Sequence, residues 1–257
     1  MAKRIKDINQ AVREVCMSFP EVEEVEAHGS PDFRVAGKTF ATYTINHHGD
    51  GNIALWLRMP PGGQQYYVEN EPDQYFVPAY VGPKGWLGVH LDRKLSWKGI
   101  AARVRSAYEE VAPKSLSERI GETIDIVPPS ITLKQEDFDP LGVPKHAKRL
   151  DGLRKRCLQL PEVSESTSFG NPVWRAGKKT FVTAYANKKQ IYYSFWVGVE
   201  NQPHYDMDPR FHIPAYTGHN GWISLNVTKD CHWPEVESLI DTSYRHFALK
   251  RMLKALA

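Results

Sequence analysis

A nine-residue segment, Pro78-Ala79-Tyr80-Val81-Gly82-Pro83-Lys84-Gly85-Trp86, returns 136 positions later as Pro214-Ala215-Tyr216-Thr217-Gly218-His219-Asn220-Gly221-Trp222. Six of the nine positions are identical, in the pattern P-A-Y-x-G-x-x-G-W. Glycines and a tryptophan held in fixed places mark an internal repeat, and a repeat constrains architecture before any local propensity does. The 257 residues leave each copy somewhat over 100, enough to bury a core of its own.

The rest of the chain follows the same duplication. Ile8, Val12, Val15, Cys16 and Phe19 recur at the spacing of an amphipathic helix, with Pro20 as its stop. Leu150, Leu153, Cys157, Leu158 and Leu160 repeat the stripe, with Pro161 in the same role. Gly29-Ser30-Pro31 and Gly170-Asn171-Pro172 mark turns. Lys38 to Tyr43 and Lys179 to Ala184 follow Ala-Gly pairs and read as hairpin strands. A third strand is expected over Ile53–Arg58 and Ile191–Val199, and a fourth after each motif tryptophan. Helices opened by Trp97 and Trp233 close the copies, and Tyr108 and Tyr244 match within them.

Each copy is therefore expected to be an α+β domain: a helix, an antiparallel sheet of about four strands and a C-terminal helix. The expected division is a first domain over 1–116, a connector over 117–148 that holds Pro128-Pro129, and a second domain over 149–257. The offset between copies falls from 141 to 136, which predicts a five-residue deletion between the third strand and the motif.

No apolar run reaches the length of a membrane span, and the basic start Met1-Ala2-Lys3-Arg4-Ile5-Lys6 has no apolar stretch of a signal peptide. The expected compartment is the cytoplasm, with no membrane partner. Cys16, Cys157 and Cys231 have neither disulfide nor zinc-knuckle spacing, and the first two read as buried filler. Net charge is +3 overall, and residues 149–257 carry +5 while the remainder is slightly negative. The second copy thus carries the basic surplus that a polyanion would meet.

In the first copy Val12-Arg13, Cys16, Pro20-Glu21-Val22 and His28-Gly29-x-Pro31 are followed by Gly37-Lys38-Thr39-Phe40 and His47-His48-Gly49-Asp50-Gly51. Tyr80-Val81-Gly82, Gly85-Trp86 and Ala112-Pro113-Lys114 complete the series. This order resembles that of MmcQ/YjbR-like proteins, small α+β domains to which DNA binding is ascribed. The likeness covers 8–116 and, more weakly, 149–253, and implies a tandem duplication of that domain. Many members carry Tyr-His-x-Asn-Lys-x-His-Trp where this chain keeps Tyr80 and Trp86, with Lys84 between them.

The repeated G-x-x-G is expected to be a tight turn built from Pro78, Tyr80, Gly82, Gly85 and Trp86 and from Pro214, Tyr216, Gly218, Gly221 and Trp222. Trp86 and Trp222 are its anchors. His47, His48 and Asp50 lie on a polar loop and not at a metal site, since neighbours on an extended chain point apart. His204, His212 and His219 are given no metal role either. No catalytic motif, metal site or cofactor fingerprint is present, so no catalytic residue and no cofactor are expected; the reading leans away from an enzyme, and an enzyme with an unrecognised site is the weaker alternative.

The leading expectation is non-catalytic binding of DNA through the second copy. Arg175, Lys178, Lys179, Lys188 and Lys189 are candidates because they lie on adjacent hairpin elements near the aromatic strand that holds Tyr192, Tyr193, Phe195 and Trp196; Lys84 is the candidate in the first copy. The alternative is a small-molecule or protein-binding module whose aromatic pocket, lined by Trp56 and Trp196, lies between sheet and helix. The two copies are expected to act as an internal pseudo-dimer within a monomer.

Overall fold

The computed structural model describes residues 5, 7–127, 129 and 133–256. Lys3, Arg4 and Lys6 of the basic start and Pro128 of the proline pair lie outside the described residues. The chain divides into two compact units, the first ending at Leu133, with His48–Asp50 grouped with the second. In the first, α1 (Ile8–Cys16) precedes β1 (Glu23–Ala27), β2 (Ser30–Val35), β3 (Lys38–Ile45) and β4 (Ile53–Arg58). Then come α2 (Gly63–Asn70), β5 (Tyr75–Phe76), β6 (Trp86–His90), α3 (Trp97–Val111) and α4 (Lys114–Ser117). In the second, α5 (Gln135–Phe138) and α6 (Pro144–Leu158) precede β7 (Val163–Ser168), β8 (Asn171–Ala176), β9 (Lys179–Asn187) and β10 (Gln190–Trp196). It ends with α7 (Gln202–Asp206), β11 (Phe211–His212), β12 (Trp222–Asn226), α8 (Trp233–Phe247) and α9 (Lys250–Lys254).

The sheets run β1-β2-β3-β4-β6-β5 and β7-β8-β9-β10-β12-β11, the same order in both units, with antiparallel pairing throughout. Both units are α+β, as the repeat implied. Each sheet has six strands where about four were expected. The additions are the edge strands. Glu23-Glu24-Val25-Glu26-Ala27 and Val163-Ser164-Glu165-Ser166-Thr167-Ser168 are charged or hydroxyl-rich, a composition that suits an edge and hides a strand from pattern reading. β5 and β11 have two residues each, too short for alternation to register.

Tight turns join these strands. His28-Gly29, Ala36-Gly37 and Phe169-Gly170 all have positive φ at both central positions, as the favoured two-residue hairpin turn requires. Pairing also relocates the five-residue deletion. Asp32 and Val173 differ by 141, Trp56 and Ser194 by 138, Phe76 and His212 by 136. Three residues are lost in the β3–β4 connection, before the third strand, and two between α2 and β5.

Helix ends differ in detail from the sequence reading. α1 stops at Cys16, before Phe19 and Pro20. Leu158, expected on the buried stripe of α6, is exposed, while Leu153 and Cys157 carry that stripe. β10 ends at Trp196, short of Val199. α5 and the first turn of α6 fall inside the expected connector.

The core of each unit lies between its sheet and its long helices. In the second unit Trp174, Phe181, Tyr193 and Phe195 are fully buried with Val236, Leu239 and Tyr244 of α8. Cys16 and Cys157 are buried in matching places, and burial pushes both thiols above their usual range, which keeps them unreactive. The matched tyrosines have the same task. Tyr108 Oη donates to the Pro20 carbonyl and Tyr244 Oη to the Pro161 carbonyl, each at 2.8 Å, so each closing helix is tied to the chain that leaves the first helix.

Candidate functional site

The repeated motif has the same backbone in both units. A 3-10 turn, Gly82–Lys84 or Gly218–Asn220, ends at a left-handed glycine, Gly85 at φ +82° and Gly221 at φ +88°. The first glycine serves a different purpose. A Cβ on Gly82 would lie 2.4 Å from Val77 Cγ1, and one on Gly218 would lie 2.2 Å from Ile213 Cγ2. Sequence reading missed the residue that holds the corner. Gln202 Nε2 donates to the Gly218 and Trp222 carbonyls at 2.7 and 2.8 Å. Gln64 Nε2 donates to Gly82 and Trp86 in the same way.

Pro78 is buried and Pro214 half-buried. Trp86 packs with Ala54 and Trp56. Trp222 is a weaker anchor, half-buried against Phe247. Tyr80 and Tyr216 do not enter the core; they are 60% and 73% exposed. Lys84 is exposed on the first turn, and its counterpart Asn220 is uncharged.

Side chains alternate across a strand, so register assigns each residue to a face. In the first unit Asp32, Thr42, Trp56, Gly88 and Phe76 form one row on the face away from α3. Trp56 is 5% exposed there. It does not lie between sheet and helix. Phe76 lies over Gly88, whose added Cβ would meet the ring at 2.4 Å. Asp32 accepts from Thr42 Oγ1 at 2.5 Å and from Arg34 Nη2 at 3.2 Å.

In the second unit the same row reads Val173, Thr183, Ser194, Ser224 and His212. Register therefore matches Trp56 with Ser194, while Trp196 takes the place of Arg58. The two tryptophans expected to line an aromatic pocket do not occupy matching positions in the two units. One face of the Trp196 ring is covered by His246, with ring centres 3.4 Å apart.

The aromatic volume of the second unit has moved one row, to Tyr185 and Tyr192. Their rings stack across β9 and β10 at 5.3 Å with an interplanar angle of 20°. His212 meets Tyr192 edge-on at 4.7 Å, and its Nε2 lies 3.0 Å from Tyr185 Oη. Burial lowers the His212 pKa, which favours the neutral ring; its tautomer sets which partner of this hydrogen bond donates. Ser194 Oγ donates to the Ile223 carbonyl at 3.0 Å and sits 3.0 Å from Ser224 Oγ. The Tyr192 hydroxyl donates to Gln190 Oε1. Tyr185, Tyr192 and His212 stay partly exposed.

The charge of the face has changed as well. Glu23 and Asp32 belong to it in the first unit, and their register partners in the second are Ser164 and Val173. Among the described residues that alternate onto this face of the second sheet, none is a carboxylate. Arg175 lies on it, with Nε donating to Ser166 Oγ at 3.1 Å.

The other candidate lysines do not form one cluster. Lys178 and Lys179 sit at the β8–β9 turn, and Lys188 and Lys189 at the β9–β10 turn. They occupy opposite ends of β9, about 27 Å apart. All four are exposed, and Lys189 pairs with Asp137 at 2.5 Å. Most arginines of this unit are already engaged. Arg154, Arg156, Arg210, Arg245 and Arg251 pair with carboxylates, and Arg149 binds the carbonyls of Val227, Thr228 and Lys229. The basic surplus available to a ligand is carried mainly by lysine.

Lys188 and Lys189 both adopt left-handed φ, 48° and 64°, where Asn-Gly is the usual pair. Left-handed backbone costs a side-chain-bearing residue about 1–2 kcal/mol. Lys188→Asn with Lys189→Gly is therefore expected to stabilise the protein by about 1 kcal/mol or more in urea unfolding. An unchanged or lowered midpoint would contradict a strained turn.

Among the described residues no group of three His, Cys, Asp or Glu side chains is placed to hold a metal, and no helix is long and apolar enough to cross a membrane. No curated protein and no solved structure matches the chain. The YjbR family model matches residues 17–110 and again 158–246. The two matched segments fall one in each unit and cover more than half of the sequence, so the chain belongs to the YjbR family as a tandem of two such domains.

Proposed function

We propose that this protein binds nucleic acid without catalysis, through the sheet face of its second domain. The observation that carries the reading is the loss of carboxylates from that face, beside lysine-bearing turns at both ends of β9. A polyanion crossing the sheet would meet Arg175 and partly exposed aromatic rings, with lysines where it enters and leaves. The first domain keeps Glu23 and Asp32 on the corresponding face, and Lys84 is its main contribution.

Electrostatic binding of this kind falls linearly in log K with log salt, by about 0.7–0.9 per phosphate neutralised. Titration with random-sequence DNA at low salt is expected to give binding that weakens steeply as salt rises. Replacing Lys178, Lys179, Lys188 and Lys189 together by alanine should lower affinity at least tenfold and flatten the salt slope. Absence of binding at about 100 μM protein and low salt would sink the proposal.

A further inference from the structure

The second-domain face holds more than charge, and what it holds bears on the form of the nucleic acid; the inference rests on the nucleic-acid reading above. We infer that the ligand is single-stranded, and that a base extends the Tyr185–Tyr192 stack while its phosphates run towards the lysine-bearing turns.

Three observations point the same way. The tyrosine rings already lie nearly parallel, 20° apart and partly exposed, an arrangement that offers a ring face to a planar ligand. Both hydroxyls are tied down, Tyr185 to His212 and Tyr192 to Gln190. The rings are thus oriented before binding, which lowers the ordering cost of a stacked complex. The first domain offers no such platform: the register counterparts of Tyr185 and Tyr192 are Thr44 and Ala54, and Trp56 and Trp86 on the same face are 5% and 8% exposed and pack in one cluster.

A duplex cannot use this platform. Its base faces are stacked on one another, and its major groove admits a helix or a two-stranded ribbon, not the broad face of a six-stranded sheet. Unpaired bases can be splayed onto aromatic rings, and each such stack is worth about 1–3 kcal/mol, or roughly tenfold upwards in affinity. Charge complementarity selects the same occupant over an acidic or neutral peptide, since the face has Arg175 and no carboxylate among the described residues. Only the second domain carries the platform, so one binding stretch per chain is expected.

The test compares a labelled short oligothymidine with a duplex of equal length, by fluorescence anisotropy on the full chain. Single-stranded DNA is expected to bind at least tenfold tighter than duplex, at one site per chain. Tyr192→Ala should weaken single-strand binding about tenfold and leave duplex binding unchanged. Tyr192→Phe, which keeps the ring and loses the hydroxyl, should stay within about threefold of the parent. Circular dichroism and the melting temperature of both variants check that the sheet is intact; the phenylalanine variant retains the test if alanine loosens it. Equal or tighter duplex binding, or an unaffected Tyr192→Ala, would overturn the stacking platform while nucleic-acid binding stands. Heparin competing as well as oligothymidine, with Tyr192→Ala binding both strand forms as the parent does, would reduce the site to a polyanion surface and also overturn it. Failure to bind either form would remove both readings.

Discussion

Trp174→Ala is expected to lower stability by about 3–5 kcal/mol, the range for emptying a large aromatic site in a packed core. The side chain is fully buried and is the largest such group in the protein. It stands on β8 opposite Val182, within the cluster that α6 and α8 close from the other side. Neighbours on a hydrogen-bonded sheet relax little, so most of the cavity should persist. The register counterpart of Trp174 in the first domain is Phe33, and that comparison supplies the control. Trp174 Nε1 has no hydrogen-bond partner among the described residues, so Trp174→Phe loses volume without breaking a bond. Its cost should be about 1–2 kcal/mol. Urea unfolding of both variants measures the pair; an alanine cost below about 2 kcal/mol, or one no larger than that of phenylalanine, would show that the site collapses.

The second large effect is an asymmetry between two residues at one position of the repeated motif. Gly85 and Gly221 share the same left-handed backbone. A Cβ on Gly85 would meet nothing within 4 Å, whereas one on Gly221 would lie 2.9 Å from the backbone of Gly198 and Val199. Gly85→Ala should therefore cost only the conformational penalty, about 1–2 kcal/mol. Gly221→Ala adds a backbone collision and should cost roughly 3 kcal/mol or more. Equal melting temperatures for the two variants would refute the distinction.

Much of the fold was legible because duplication prints the pattern twice. The recurrence of Gly82, Gly85 and Trp86 at Gly218, Gly221 and Trp222 announced two domains, and the buried Cys16 and Cys157 could be matched on their stripes. The edge strands were hidden because Glu23, Glu24 and Glu26, or the serines of β7, do not alternate as a half-buried strand does. The candidate site was less legible than the fold. Grouping Arg175 with four lysines followed their place on adjacent hairpin elements, and β9 carries two of the lysines to its far end. Pairing Trp56 with Trp196 followed residue type. Strand register, which depends on the length of the β3–β4 connection, assigns Ser194 instead. Gln202 gave no local signal, since its partners are carbonyls 16 and 20 residues away.

The displaced aromatic row also bears on how the two copies could have diverged. Tyr185 reaches from β9 across β10 and β12 to His212 on β11, over the place where Trp56 sits in the other copy. Ser194→Trp would collide with that ring, and Trp56→Ser would leave a hole that Thr44, the register counterpart of Tyr185, is too short to fill. Either substitution alone is expected to destabilise its sheet. The same aromatic volume is thus carried at different register positions in the two copies, so a substitution tolerated at one position of the repeat is not expected to be tolerated at its counterpart.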